Sequence, residues 1–437
     1  NNFIFIFLIF LFFLSLSLKL KELSFLVYGL GLSGRSVVKF FKKKKIKNFK
    51  VWDDKQKNIY KNYRSKNLTY TLEQVDYIIL SPGISLFKNK NLSKFKKKII
   101  TDIDLFYLNN NKSKSIVVTG TNGKSTTCKL LAHLLQKNKF KCSLGGNIGT
   151  PILDLKNSKN SFVIIEASSF QLSHSKFIRP DFALFLNFSN DHLDWHGSKN
   201  RYFNSKLKIF RFQKKKDFAI INKNLKRQYL SNKFIGKLII PKIKDYKNIK
   251  SKIKNNYLTS NINEENMSFV YTFSKLLKIK EKSFFMSMKS FKGLSHRFEI
   301  FLKKRNIIFI NDSKATSFTA SKSALFSLKN IYWILGGIPK KNDKFNLLQF
   351  KKNIIKCFII GKNINFFKNQ VKGKIDFSIT KNLKNAVIQI LKDSKLQNNN
   401  RSILLSPAAA SFDQFENFEK RGNEFKKLCK KYARKLI

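Results

Sequence analysis

A glycine turn between a strand pattern and a helix pattern constrains the fold of this chain more than any other feature. Residues 115–118 form a short apolar run, and residues 128–135 carry apolar side chains at helical spacing. The segment Gly-Thr-Asn-Gly-Lys-Ser-Thr between them predicts a turn that opens a helix. Backbone N–H groups at such a helix start bind phosphate, a lysine adds positive charge, and a hydroxyl can reach Mg²⁺. We therefore expect a nucleoside triphosphate to bind here, although only two residues separate Gly120 from Gly123, where the common phosphate loop has four. The residues expected to contact the triphosphate in this turn are Gly120, Thr121, Asn122, Gly123, Lys124, Ser125 and Thr126.

Composition favours a multidomain protein of a reducing compartment. A chain of 437 residues is long enough for about two to four domains. The four cysteines lie far apart and form no Cys-x-x-Cys pair, which indicates a reducing cytosol. Lys and Arg number 87 against 26 Asp and Glu, a net charge of +61 that would suit nucleic acid or an anionic membrane. Because the lysines are spread along the whole length and no basic stripe carries interleaved aromatics, we interpret the charge as compositional drift and keep nucleic-acid binding as an alternative.

The rest of the chain predicts three α/β domains after an apolar extension. Residues 1–18 are almost wholly Phe, Ile and Leu, and we expect an extension outside the native fold, with a membrane anchor as the weaker alternative. Strand and helix patterns then alternate in segments 19–109, 110–294 and 295–437. Alternation of this kind predicts mainly parallel sheets.

The first segment contains a second glycine turn. A buried strand pattern at 24–28 leads into Gly-Leu-Gly-Leu-Ser-Gly, and Asp53 and Asp54 follow a second strand about twenty residues on. Gly83 follows a third strand pattern, at the edge where ligands of parallel sheets collect. This turn suits the diphosphate of NAD or of a UDP group equally, so an NAD-dependent dehydrogenase stays an alternative.

The second segment supplies candidate metal ligands. Glu166 ends a core strand pattern and is expected to reach Mg²⁺ beside the phosphate turn. Two His and two Asp lie in Asp-His-Leu-Asp-Trp-His at 191–196, but a His-x-x-x-His spacing without a third ligand favours an imidazole on Mg²⁺, or a structural role, over zinc.

These motifs resemble those of the ATP-dependent Mur ligases of peptidoglycan synthesis. The phosphate turn is joined by Gly-Gly-Asn-Ile-Gly at 145–149, Glu-Ala-Ser-Ser-Phe-Gln at 166–171, Asp-His-Leu-Asp at 191–194 and Tyr-Phe-Asn-Ser-Lys at 202–206. In the third segment, the motifs at 293–299, 311–316, 336–337 and 406–415 resemble the branch that adds D-glutamate to UDP-N-acetylmuramoyl-L-alanine. The resemblance runs in order from about Val27 to Phe425. Sibling Mur ligases and folylpolyglutamate synthase are the nearer alternatives.

The resemblance implies a Rossmann-like N-terminal domain that binds the UDP substrate, a central P-loop ATPase-like domain with a parallel sheet, and a C-terminal Rossmann-like domain that binds the amino acid. It implies that the substrate carboxylate attacks the γ-phosphate of ATP and that D-glutamate then attacks the acyl phosphate. It also implies two Mg²⁺ ions, a cytoplasmic monomer, small-molecule substrates, and no nucleic acid or stable membrane association.

Residue roles follow from the same resemblance. Ser125 and Glu166 would hold one Mg²⁺, and His192 with a carbamylated Lys206 the second; Lys124 completes the catalytic set. The UDP-substrate residues would be Gly29, Leu32, Ser33, Asp53, Asp54, Gly83 and, on the muramoyl part, Asn147. Further ATP contacts would be Asn263, Asn266, His296, Arg297, Asp312 and Lys314. D-glutamate would be framed by Lys314, Thr316, Lys340, Ser411, Phe412 and Phe418. The chain departs from the family pattern at Ser317, Ile338 and Phe412, all near the D-glutamate contacts.

Overall fold

A computed structural model describes residues 20–109, 112–189, 191–255, 257–260, 263–340, 343–394 and 399–436. The apolar extension predicted at 1–18 lies outside them. The chain divides into two compact units, one running up to Lys254 and including Glu265–Phe291, the other made of Asn255–Glu264 and the residues from Lys292 onward. The predicted boundary at 109 and 110 lies within the first unit, between two sheets, and stays a prediction.

The first unit contains a four-stranded parallel sheet and a six-stranded parallel sheet. The smaller has the order β2-β1-β3-β4 and the larger β10-β9-β8-β5-β7-β6. Their strands are β1 Phe25–Tyr28, β2 Phe49–Trp52, β3 Tyr77–Leu80, β4 Ile99–Ile100, β5 Lys114–Thr119, β6 Cys142–Gly146, β7 Phe162–Glu166, β8 Phe182–Phe185, β9 Phe218–Ile221 and β10 Lys237–Ile239. The central strands are apolar without alternation because helices cover both faces of a parallel sheet.

The helices up to residue 291 are α1 Leu32–Lys43, α2 Leu68–Gln74, α3 Lys90–Ser93, α4 Asp102–Asn109, α5 Lys124–Lys137, α6 Ser169–His174, α7 Leu193–His196, α8 Lys199–Leu207, α9 Lys226–Ser231, α10 Ile243–Lys250, α11 Glu264–Leu276 and α12 Glu281–Lys289. Short 3₁₀ turns lie at Lys61–Tyr63, Ile152–Asp154, Lys208–Phe210 and Lys223–Leu225.

The second unit contains a six-stranded sheet with the order β11-β12-β16-β13-β14-β15. Only the β11 and β12 pair is antiparallel among the described strands of this sheet. The strands are β11 Glu299–Lys304, β12 Ile307–Asn311, β13 Ile331–Gly336, β14 Ile354–Ile360, β15 Phe377–Lys381 and β16 Arg401–Leu405. The helices are α13 Phe318–Ser327, α14 Ile364–Val371, α15 Leu383–Ser394 and α16 Phe418–Leu436, with a 3₁₀ segment at Leu348–Asn353.

The three sheets confirm the α/β class with mainly parallel strands. In the larger sheet of the first unit, Val118 of β5 pairs with Glu166 of β7, and Thr119 pairs with Phe185 of β8. The segments that follow these three strands therefore start side by side at one edge of the sheet. Among the described helices, none combines the length and hydropathy needed to cross a bilayer.

Candidate active site

The phosphate turn connects β5 to α5. Gly123 precedes the helix with φ +80°. A Cβ atom on Gly123 would lie 2.2 Å from Oδ1 of Asn266, so glycine is required by both backbone and space. Nζ of Lys124 donates to the carbonyl oxygens of Gly120 and Thr121 at 2.8 and 2.9 Å. The turn thus has the open helix start and the cation that the sequence predicted for a triphosphate.

Asn266 lies against this turn. The Thr127 hydroxyl donates to Oδ1 of Asn266 at 3.3 Å, and the Asn266 side chain is buried. Tertiary packing therefore brings Asn266 to the start of α5 from a distant part of the chain. Asn263, predicted as its companion, belongs to the second unit, where its side-chain amide donates to the carbonyl oxygen of Tyr257 at 2.8 Å.

Glu166 ends β7 next to the phosphate turn and is 3 % exposed. Its Oε1 accepts from Nδ2 of Asn147 at 2.9 Å, so a predicted muramoyl contact and a predicted metal ligand lie together. Its Oε2 is buried and has no hydrogen-bond partner among the described residues. A buried carboxylate oxygen without a partner is costly unless a cation or a donor joins it.

Lys206 is the most deeply buried of the predicted catalytic side chains, at 1 % exposure. Its Nζ donates to the carbonyl oxygen of Gly120 at 2.9 Å and lies 4.7 Å from the ring centre of Tyr202. Burial, and next the positive charge of Lys124, hold the pKa of Lys206 well below its ordinary value, against the opposing effect of Asp191. The structure therefore places an easily deprotonated amine at the phosphate turn.

His192 joins the same region through aromatic contacts. It has φ +53°, its Nε2 lies 3.4 Å from Oδ2 of Asp191, and its ring lies 4.7 Å from that of Phe170. Its ring centre is 6.1 Å from that of Tyr202, whose hydroxyl is 3.1 Å from the hydroxyl of Thr121. In the described part of the chain, no three His, Cys, Asp or Glu side chains group as a metal site would require, so the zinc alternative has no cluster to support it.

The second glycine turn follows β1 and approaches the segment after β3. Gly29 has φ +95°, and a Cβ there would lie 2.6 Å from Cβ of Ser81, whose hydroxyl donates to the Gly29 carbonyl at 2.8 Å. Leu32 is exposed and Gly83 is exposed, as a ligand-facing position requires. The Ser33 hydroxyl interacts with the carboxyl of buried Asp102, and burial raises the pKa of Asp102 to about 6.

Asp53 and Asp54, the two acids after β2, accept hydrogen bonds from other groups of the protein. Asp53 accepts from the backbone N–H groups of Leu30, Lys55 and Gln56 at 2.6, 2.9 and 2.8 Å. Partial burial opposes ionisation, but these three bonds lower the pKa of Asp53. Asp54 accepts from the Tyr28 hydroxyl at 3.2 Å and from Nε1 of Trp52 at 2.9 Å. Asp53 therefore fixes the shape of the glycine turn, whatever contact it makes with a ligand.

The second unit brings together the predicted His296 and Asp312. Nδ1 of His296 lies 2.9 Å from Nδ2 of Asn311, and burial lowers the pKa of His296. Asp312 accepts from the Ser406 hydroxyl at 2.7 Å and from the Phe298 N–H at 3.1 Å, and burial raises its pKa to about 6. The predicted Arg297 lies near enough to lower that pKa in part.

The predicted D-glutamate residues also lie in this unit. Nζ of Lys314 is 4.9 Å from the ring centre of Phe418. Ser411 is buried, Thr316 is half-buried, and Lys340 is exposed. Phe412 is 70 % exposed, which leaves its ring free of the core. The departure from the family pattern at Phe412 therefore falls on a surface position.

Sequence reasoning missed residues whose partners are distant in the chain. Asn187 follows β8 and hydrogen-bonds the phosphate turn and Glu265. Arg421 is 1 % exposed in α16 and donates to Ser313 and to the carbonyl oxygen of Ala409. For the pair of Asn187 and Glu265, the available signal was the position of Glu265 beside the predicted Asn266. For Arg421, it was an arginine on the apolar face of a helix.

Family models match most of the first unit. A model of the Mur ligase middle domain matches residues 118–291, and one of the Mur ligase MurD-like N-terminal domain matches residues 23–101. The UDP-N-acetylmuramoylalanine–D-glutamate ligase of Rickettsia prowazekii is 35 % identical over 94 % of this chain and 99 % of its own. That of Buchnera aphidicola is 37 % identical over 93 % of this chain and 97 % of its own. The chain belongs to the Mur ligase family.

This membership confirms the resemblance and displaces the dehydrogenase alternative, because Mur ligases are ATP-dependent ligases.

Solved Mur ligases share the fold at low identity. The UDP-N-acetylmuramate–alanine ligase of Thermotoga maritima has a TM-score of 0.56 at 15 % identity over 94 % of this chain and 100 % of its own. The MurF ligase of the same organism, in complex with ADP, has a TM-score of 0.56 at 15 % identity over 95 % of this chain and 97 % of its own.

Proposed function

We propose that this Mur ligase joins D-glutamate to UDP-N-acetylmuramoyl-L-alanine at the expense of ATP, in the synthesis of a peptidoglycan precursor. Full-length relatives of that name support the reaction. The observation that supports it best is the buried Oε2 of Glu166 beside the phosphate turn, for which the described part of the chain offers no hydrogen-bond partner. A dehydrogenase binds no triphosphate and would leave both this oxygen and the phosphate turn unexplained.

In the first step, a carboxylate oxygen of the UDP substrate forms a bond to the γ-phosphorus of ATP, and the bond from that phosphorus to the ADP oxygen breaks. Negative charge is spread over the phosphoryl oxygens during this transfer, and preorganised donors stabilise it. Lys124 and the backbone N–H groups at the start of α5 are the donors in place. When the triphosphate binds, Nζ of Lys124 would donate to phosphate oxygens in exchange for one or both of its carbonyl partners.

In the second step, the amine of D-glutamate attacks the acyl carbon, and inorganic phosphate leaves from the tetrahedral intermediate. The proton that the amine loses as the amide forms is balanced by the released phosphate, which leaves as HPO₄²⁻. The buried side chains of Lys206 and Tyr202 keep bulk water away from this side of the acyl phosphate, which water would otherwise hydrolyse.

The residues at the turn fit a magnesium site. Mg²⁺ prefers oxygen ligands, and Oε2 of Glu166 is a buried oxygen to which none of the described side chains or backbone groups donates. Ser125 and Glu166 would hold one ion, and His192 with Lys206 the second. Bound there, Mg²⁺ neutralises charge on the phosphate oxygens.

Lys206 fits the second ion only if its charge is reversed. An ammonium repels a cation, whereas a carbamate formed from the neutral amine and CO₂ supplies two oxygens. The lowered pKa of Lys206 favours the neutral amine that this reaction needs. We include a carbamylated Lys206 in the proposal for that reason.

The substrates are assigned to separate regions. The glycine turn after β1, with Gly29, Leu32, Ser33 and Gly83, would hold the UDP group, and Asp53 would shape that turn from behind. Asn147 would reach the muramoyl part. By the resemblance, His296, Arg297, Asp312 and Lys314 would contact ATP, and D-glutamate would be framed by Lys314, Thr316, Lys340, Ser411, Phe412 and Phe418. A cytoplasmic monomer without nucleic acid remains a prediction from the resemblance.

Phosphate release that depends on the amino acid tests the proposal. Purified protein with ATP, Mg²⁺, bicarbonate and UDP-N-acetylmuramoyl-L-alanine should release phosphate with D-glutamate and not with L-glutamate or diaminopimelate. Mass spectrometry should find the UDP product heavier by one glutamyl residue. Turnover with diaminopimelate instead would assign the chain to a sibling activity, and no turnover with any amino acid would overturn the proposal.

A further inference from the structure

A chain of polar side chains lies behind the phosphate turn. Asn187, just after β8, accepts the backbone N–H of Asn122 on Oδ1 at 2.8 Å. Its Nδ2 donates to Oε2 of Glu265 at 2.7 Å and to the Asn122 carbonyl at 3.3 Å. Oε1 of Glu265 accepts from Nδ2 of Asn222 at 2.6 Å. The backbone of the turn is thus connected through one amide to a carboxylate, which is connected to a second amide.

Glu265 decides which way the Asn187 amide faces. The two ends of an amide have nearly the same shape, but one donates and the other accepts. An ionised carboxylate only accepts, so it selects Nδ2 of Asn187. Oδ1 is then directed at the Asn122 N–H, the one orientation that satisfies the turn.

Helix α11, which carries Glu265, also supports Gly123, the next residue of the phosphate turn. Glu265 and Asn266 are neighbours in the first turn of α11, and Oδ1 of Asn266 occupies the space that a Cβ on Gly123 would need. Glu265 acts on Asn122 through Asn187, and Asn266 contacts Gly123. These two neighbours in α11 therefore support both residues that precede Lys124. Because each peptide unit is planar, the bonds that Asn187 makes to the N–H and to the carbonyl of Asn122 hold the two planes on either side of that residue, and the second plane carries the N–H of Gly123.

We infer that Glu265 is a positioning residue for ATP binding, which fixes the amide of Asn187 so that Asn187 holds the phosphate turn in its binding conformation. The inference rests on the proposed ATP site at this turn. It does not depend on which amino acid the enzyme adds.

Exchanging the polarity of the pair tests the inference. In Glu265→Gln, the new side-chain oxygen keeps Asn222, and the new NH₂ group faces the NH₂ of Asn187, which must turn and release the Asn122 N–H. In Asn187→Asp, two carboxylates face each other. In the double variant, the carboxylate introduced at position 187 accepts from the Asn122 N–H and from the NH₂ group introduced at position 265. The connection is thereby restored with donor and acceptor exchanged.

We expect each single variant to weaken ADP binding and to raise the KM for ATP by about tenfold, the effect of one misplaced hydrogen bond. The double variant should bind ADP at least about threefold more tightly than either single variant, because the only contact left unfavourable is that of the new carboxylate oxygen with the Asn122 carbonyl oxygen. The KM for the UDP substrate should not change. Asn222→Ala is the matched control, because it leaves the pair of Asn187 and Glu265 intact, and its ADP affinity should stay near that of wild type.

Binding of ADP with Mg²⁺, measured by calorimetry on full-length protein, separates this inference from the proposed reaction. Wild type that binds ADP but does not turn over D-glutamate would contradict the reaction alone. Unchanged ADP affinity in Glu265→Gln, or effects that add up in the double variant, would overturn the positioning role. If Glu265→Gln is unfolded at the assay temperature, the ADP affinities of Asn187→Asp and of the double variant are compared instead. Tighter binding by the double variant would support the positioning role, and equal or weaker binding would overturn it.

Discussion

The side-chain nitrogen of Lys206 lies 2.9 Å from the carbonyl oxygen of Gly120, the first glycine of the phosphate turn. The two residues are 86 positions apart in the chain, and α8 brings them together. A lysine buried to 1 % exposure beside a second lysine is unfavourable as a cation. The arrangement becomes favourable once the amine is neutral or modified.

Activity should therefore depend on CO₂. Lys206→Arg cannot form a carbamate and stays charged, so we expect turnover to fall at least about 100-fold, as expected when one charge-stabilising group is lost. Wild type in CO₂-free buffer should lose activity and regain it with bicarbonate. The carbamate signal in ¹³C NMR after addition of labelled bicarbonate is the direct measurement.

The exposed Lys137→Arg serves as the control for that substitution. Carbamate formation needs the neutral amine, so activity should fall as the pH drops through the lowered pKa of Lys206. Full activity of Lys206→Arg without bicarbonate would show that neither the carbamate nor the amine of Lys206 is needed for turnover.

Glu166→Gln should abolish the response to magnesium while the fold is retained. Glutamine keeps the volume and can still accept from Asn147, which preserves the bond made by Oε1. It replaces the buried Oε2 with an NH₂ group, which cannot bind a cation. We expect a loss of at least about 100-fold in kcat, measured by phosphate release over a range of Mg²⁺ concentrations. The exposed Glu73→Gln should behave as wild type, and a normal magnesium response in Glu166→Gln would remove Glu166 from the metal site.

Gly123→Ala should impair nucleotide binding more than a positive φ alone would explain. The added Cβ would lie 2.2 Å from Oδ1 of Asn266, and the residue would also keep φ +80°. Gly373→Ala is a matched control, because Gly373 has φ +73° and no atom of the residues that the structure describes lies within 4 Å of its added Cβ. Both substitutions carry the backbone cost of about 1–2 kcal/mol, whereas only Gly123→Ala should displace the phosphate turn. Melting temperature and ADP affinity, measured on both variants, check the difference. Equal ADP affinity in the two would mean that Asn266 moves away freely.

The sequence could predict the parts of the site that are local. An apolar run, a glycine turn and a helical pattern are contiguous, so β5, the turn and α5 could be located directly. Glu166 could be placed at the same edge because it ends a strand, and parallel strands end at the same edge of a sheet.

Contacts made by tertiary packing could not be predicted in this way. Asn187 and Glu265 are 78 positions apart, and neither carries a motif of its own. Asp53 and Asp54 were recognised by spacing. Spacing does not show that the Asp53 carboxylate already accepts from backbone N–H groups and that of Asp54 from the Tyr28 hydroxyl. Family motifs indicated Lys206, whereas its burial and its bond to Gly120 appear only in the fold.

Arg421 should be important for the stability of the second unit. It is 1 % exposed and its guanidinium donates to the Ser313 hydroxyl, the Ser313 carbonyl and the Ala409 carbonyl at 3.0, 2.9 and 2.9 Å. Burial lowers its pKa to about 10, so it remains charged at neutral pH. Arg421→Met leaves those carbonyl oxygens without donors, and we expect a loss of about 3–5 kcal/mol. Chemical denaturation measures this loss, Lys420→Met at an exposed neighbouring position is the control, and equal stability of both variants would contradict the prediction.

His174 and His196 should make folding stability depend on pH below neutrality. Nε2 of His174 lies 3.0 Å from the Ile84 carbonyl, Nε2 of His196 lies 3.0 Å from the Ser169 hydroxyl, and the two side chains are 6 % and 3 % exposed. Burial lowers the pKa of each to about 4.

Between about pH 6.5 and pH 4, the unfolded chain binds protons at these two histidines and the folded chain does not. Their contribution is therefore fully present above about pH 6.5 and is lost as the pH falls toward 4, by about 1–3 kcal/mol for each histidine. His174→Gln can still donate to the Ile84 carbonyl but does not titrate, so it should lose less stability than wild type between pH 7.5 and pH 4.5. Thermal unfolding at the two pH values checks this, with His196→Gln as the second variant. Parallel losses in wild type and both variants would show that other groups, and not these imidazoles, take up the protons.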